Sequence, residues 1–227
     1  MHFHLPKPLH GWREFLGEVG IIVVGVLIAL AAEQVVEAFH WSNEVGKFRG
    51  AVDHEIGRDL GIYQAVMRQR PCVDRRLAEL ERVLADSRDG RQDRLLHPIA
   101  RPAHFSQYFS VWDNKGAEIV EHLPDEVRIR YGELYDEFRN NDVVRLSERE
   151  VWRGMSQFDQ PEPLDHADRM RLRELLTRAE SLNASTLSNY RYIMSMASPL
   201  GIAPIADPNL VPLREYEVFC QPLLGPA

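Results

Sequence analysis

Nine histidines and a dense set of carboxylates give this chain several places where residue type and spacing could support chemistry. Glu37 and His40 form one half of the Glu-x-x-His pairing used by di-iron helical bundles, but that chemistry needs a second pair and the sequence has none. His2 and His4 lie in a short basic tail, where metal binding would be weak. Asp53, His54, Glu55 and Asp59 cluster within two helical turns; Arg58 sits among them, so the group reads as a solvated helix face. No His-Glu-x-x-His, phosphate loop, nucleophile elbow or paired zinc cysteines occurs. These residues point away from an enzyme, and toward no cofactor and no metal. A formal charge of −7 argues against binding nucleic acid.

The element that must position everything else is residues 19–32, VGIIVVGVLIALAA, fourteen residues without a polar side chain. As a helix they rise about 21 Å, short of a hydrocarbon core of roughly 30 Å. Extension to residues 15–39 gives twenty-five residues, enough to span with some tilt, and Trp12 and Trp41 stand outside at the interfacial positions indole prefers. Ala29-Leu30-Ala31 fits a signal-peptide cleavage pattern, but Glu14 and Glu18 sit where such a peptide is basic. A transmembrane helix is the expectation, with residues 1–17 as a short tail on one side. Within the span, Glu18, Gly25, Ala29 and Ala32 share one stripe, and Gly25-x-x-x-Ala29 lets another helix approach closely. A carboxylate near the hydrocarbon boundary is costly unless paired or wetted, so this stripe is expected to contact a second helix.

Lys7 and Arg13 before the span balance Lys47 and Arg49 after it, so charge leaves the orientation open. The segment HLPKPLHGWREFLGEVGIIVVGVLIALAAEQ resembles the start of an uncharacterised group of proteobacterial single-pass membrane proteins. Its core, GEVGIIVVGVLIAL, is similar to a wider bacterial family with a G-E-[IV]-x-x-V-[VI]-G-[VI]-L-I-A-L anchor. Some of those relatives carry strongly basic N-terminal tails. The resemblance implies a bacterial inner-membrane protein with a cytoplasmic N-terminus and a periplasmic C-terminal domain. It covers about thirty residues and supplies topology without a mechanism.

Beyond the anchor the pattern is helical and strand signals are nearly absent, so the fold class is all-α: the transmembrane helix continues into an antiparallel helical bundle over residues 42–200. Val45, Phe48, Val52, Ile56, Leu60, Tyr63 and Met67 recur at three- and four-residue steps. Gly46, Gly50, Gly57 and Gly61 weaken that helix or mark close contact with a neighbouring helix. Pro71 is expected to end it. Val73, Leu77, Leu80 and Leu84 then seam a second helix lying back on the first. Residues 87–103 read as a flexible loop with solvated arginines; an anionic partner for those arginines is the alternative. Phe105, Tyr108, Phe109 and Trp112 follow helical spacing and read as core; the alternative is a pocket lined by Tyr108 and Trp112 with Asp113 at its mouth. Pro124 should open a helix continuing to residue 158 or kinking at Asn140-Asn141. Asp165 with Asp168 predicts an N-cap for a helix ending near Ala197. Residues 201–227, with Pro204, Pro208, Pro212 and Pro222, read as an extended Pro-rich tail.

Cys72 and Cys220 carry little pattern. Free thiols are the default, and a disulfide pinning the tail is the alternative if the domain is exported. The function expected is a membrane-anchored envelope scaffold or protein-interaction module, with the lipid bilayer and another membrane or envelope protein, or a second copy, as partners. The alternative is a ligand-sensing bundle signalling through a separate membrane partner.

Overall fold

The computed structural model describes residues 11–91, 94–103, 105–159, 163–206 and 217–225. Among these the elements are all helical: α1 (Gly11–Arg88), α2 (Ser110–Asp113), α3 (Ala117–Glu121), α4 (Asp125–Met155) and α5 (His166–Ala197), with 3₁₀ turns at Ser156–Phe158 and Ser198–Leu200. The chain divides into two units, residues 1–49 and 50–227. In the first, the apolar side chains of α1 from Ile21 to Val36 are exposed. α1 is the one described helix long and apolar enough to cross a membrane, and none of its most apolar stretch is buried.

The second unit is built on three long helices. Asp53 meets Tyr131, Glu55 meets Tyr135 and Tyr63 meets Asn141, so residue numbers rise together and α1 runs parallel to α4. Asn141 meets Asn189 and Gly154 packs on Leu175, so α5 runs antiparallel to α4. A parallel pair needs a crossover, supplied by residues 89–124. The Val73, Leu77, Leu80 and Leu84 seam is buried as its spacing requires, against Trp152, Met155, Leu172 and Leu176. α5 starts with the expected capping box: Asp165 accepts from the Asp168 amide while the Asp168 carboxylate accepts from the Asp165 amide. α4 begins one residue after Pro124 and runs without interruption through Asn141 to Met155.

Several expectations are corrected. Pro71 lies inside α1, which continues to Arg88, so the two seams belong to one helix and not to a hairpin. Proline removes one amide donor, but its ring is exposed, so the cost falls on the wet side of the helix while the inner side stays packed. Residues 105–109 are not helical either. Within this segment the Tyr108 amide donates across the fold to Asp59 on α1, and the first-turn amides of α2, Val111 and Trp112, donate to Glu55. The arginine-rich crossover is irregular, as read, yet it is anchored: Ile99 is buried, its amide donates to Asp159, and Ala103 donates to Gln69.

The chain after α5 returns over α1. The Ile205 amide donates to the Gly57 carbonyl at 2.7 Å, and a Cβ on Gly61 would lie 1.9 Å from the Ile205 carbonyl oxygen. Gly57 and Gly61 therefore mark a close contact with irregular chain and not with a neighbouring helix, while Gly46 and Gly50 meet nothing within 4 Å. Pro208 and Pro212, expected in the tail, lie outside the described residues. Further on, Phe219, Leu223 and Leu224 are buried in the core. Cys220 is bonded to Cys72, so the default of free thiols is overturned. The disulfide spans 148 positions of sequence. Buried Arg76 fixes the same region, donating to the carbonyls of Pro98, Phe219 and Gln221 at 2.8–2.9 Å.

Candidate functional site

Two carboxylates read as solvated are buried: Glu55 is 4% and Asp59 0% exposed, while His54 does face outward. Burying an ionised carboxylate is costly unless its lone pairs are filled. Glu55 fills them. It accepts from the Ser110 hydroxyl at 3.1 Å, the Val111 amide at 2.8 Å, the Trp112 amide at 3.3 Å and the Tyr135 hydroxyl at 2.7 Å. Its role is to clamp the aromatic segment onto α1 and α4.

Asp59 is different. Its Oδ1 accepts from the Tyr108 amide at 2.9 Å, but Oδ2 has no partner among the described residues. Burial, with a smaller push from the Glu55 charge, raises its carboxyl from 3.8 to about 8 against the opposing Tyr108 amide and the Arg58 and Arg145 guanidiniums. Asp59 is therefore largely protonated at neutral pH. One turn on, the Tyr63 hydroxyl receives donors from Gln107 and Asn141, and Asn189 donates to Asn141 at 2.9 Å, so one polar chain links α1, the crossover, α4 and α5. Burial holds the Tyr63 and Tyr135 phenols well above their usual range.

Below this layer α1, the crossover, α4 and α5 enclose a hollow of about 30 Å³. Gln69, Arg70, Arg101, Arg145, Glu148 and Arg149 are its polar lining residues, and Val66, Val73 and Trp152 are apolar ones. Three buried donors on these residues have no partner among the described residues: Gln69 Nε2, Arg145 Nη1 and Arg149 Nε. Arg145 is 3% exposed, and burial depresses its pKa. Burial raises the Glu148 carboxyl, with Arg145 opposing. Arg70 is already engaged, donating to the Asn183 carbonyl at 3.1 Å. Arg70 also pairs with Asp74 at 3.8 Å, which leaves three lining guanidiniums, Arg101, Arg145 and Arg149, against the Glu148 carboxylate.

The expected site residues fare differently. Trp112 is buried, stacked on Tyr135 at 5.2 Å and edge-on to Tyr131 at 5.8 Å, with Lys115 Nζ 4.3 Å from its ring centre. Tyr108 is half-buried beneath the Arg58 guanidinium, and Asp113 is exposed and paired with Arg139. The rings of Trp112, Tyr131 and Tyr135 thus pack on one another. Glu18, Gly25, Ala29 and Ala32 are all exposed on α1, with open space where a Gly25 Cβ would stand. Among the described residues no group of three His, Cys, Asp or Glu side chains could hold a metal ion.

The arginine hollow was missed because each residue was read singly. Its signal lay in the α4 stripe: Tyr131, Leu134, Phe138, Asn141, Arg145, Trp152 and Met155 keep helical spacing, and Asn141 and Arg145 occupy inward positions. Comparison of the chain with protein-family models, curated proteins and solved structures finds no match.

Proposed function

We propose that this protein is a single-pass bacterial inner-membrane protein whose helical C-terminal domain faces the periplasm, where it acts as an envelope scaffold or protein-interaction module. The observation that carries the placement is the Cys72–Cys220 disulfide within residues 50–227. Such bonds persist in oxidising compartments and are rare where thiols are kept reduced. The exposed apolar run of α1 supports the anchor, because a stretch so apolar needs lipid or protein around it. The stripe of Glu18, Gly25, Ala29 and Ala32 supports contact within the membrane with a second copy or another envelope protein, since small residues let backbones approach.

Cysteine crosslinking in native membranes tests the contact. Ala29→Cys should give a crosslinked product, and adding Gly25→Ile should reduce it while leaving the segment hydrophobic enough to insert. Equal crosslinking in both, or none in either, sinks the contact and leaves a simple tether. A second reading, a sensor that binds a small molecule between helices and signals through a separate membrane partner, draws on one observation: the hollow with unpartnered arginine donors.

A further inference from the structure

We propose that the hollow between α1, α4 and α5 binds a small aliphatic carboxylate of acetate to propionate size. The inference deepens the sensing reading and does not depend on the membrane placement. Three donors, Gln69 Nε2, Arg145 Nη1 and Arg149 Nε, are buried without partners among the described residues, and all three residues line the same hollow. A buried donor left unsatisfied costs free energy, more so when it is charged, so three on one cavity require an acceptor. Gln69 is 2% and Arg145 3% exposed, so neither can turn out to water.

Charge and shape narrow the acceptor. Arg70 is paired with Asp74, and the remaining lining guanidiniums, Arg101, Arg145 and Arg149, still outnumber Glu148, so an anion is favoured over water. Guanidinium presents a planar fork that matches a carboxylate. The hollow, about 30 Å³, has room for about two waters, which the two oxygens of a carboxylate replace. Val66, Val73 and Trp152 alternate with the polar residues along the same faces of α1 and α4, and give the alkyl end of the ligand apolar neighbours.

The test uses the full chain in neutral detergent, with calorimetric titration and thermal melting at constant ionic strength. Sodium acetate and propionate are the probes; chloride and phosphate are the comparisons. Saturable binding of acetate or propionate, with a melting temperature above that in equal chloride, is expected. Arg149→Gln should weaken affinity about tenfold or more while keeping a cooperative melt, as loss of one charge-assisted hydrogen bond requires. Arg101→Gln, on the exposed crossover, should weaken it as well and serves if the first variant does not fold. No heat and no melting shift beyond chloride overturns the proposal. Preference for phosphate overturns the carboxylate assignment, and unchanged affinity in a folded arginine variant overturns the site. Each outcome is independent of topology and of crosslinking in the anchor.

Discussion

Asp59 makes a prediction that few buried carboxylates allow, because its proton is held up to about 8 while the unfolded chain releases it near 3.8. Between those values the folded state binds more protons than the unfolded state, so this group makes stability fall as pH rises. Its contribution is fully present below about pH 4 and is lost as pH climbs through about 8. At about 1.36 kcal/mol per pH unit the loss across the window is roughly 6 kcal/mol, comparable to the whole stability of many domains. Asp59→Asn keeps an oxygen for the Tyr108 amide and removes the titration. The difference in unfolding free energy between variant and parent should therefore be small near pH 4 and grow steadily in favour of the variant toward pH 8. Urea unfolding of the full chain in neutral detergent, followed by circular dichroism at matched pH, reads that difference directly. Carboxylates other than Asp59 are common to both proteins and cancel. A difference that stays constant with pH would refute the reasoning, for it would mean that Asp59 is ionised inside the fold.

Trp112→Ala should destabilise by about 3–5 kcal/mol in thermal or urea melts, since it removes a buried ring stacked on Tyr135. Cys72→Ser with Cys220→Ser should cost roughly 5 kcal/mol, the loop-closure value for a link of this span, and should abolish the mobility difference between reduced and oxidised protein on gels. Gly61→Ala should lower the melting temperature although alanine favours helices by about 1 kcal/mol, because its Cβ would meet the Ile205 carbonyl oxygen at 1.9 Å. Gly50→Ala, which meets nothing within 4 Å, should raise it or leave it unchanged.

The sequence alone determined the helical class, the α5 boundaries and the apolar run of α1. Each rests on local rules: 3.6-residue periodicity, a side-chain cap and uninterrupted hydrophobicity, all readable within a few turns. Tertiary structure decided the rest. Pro71 looked like a stop because a lone helix pays for the missing donor; in the fold, packing on both sides of it carries the helix through. Phe105, Tyr108 and Phe109 have helical spacing, but Glu55 and Asp59 take the amides of that region, and sequence spacing cannot reveal which distant carboxylate competes for a backbone donor. Glu55 and Asp59 themselves share the inward face with Val52, Ile56 and Tyr63. By residue type they belong in water, and only the partners brought from the crossover and α4 satisfy them inside. The hollow depends in the same way on long-range placement: Gln69, Arg145 and Arg149 become a candidate anion site because three helices and a crossover bring them to one cavity, with three of their donors unpartnered among the described residues.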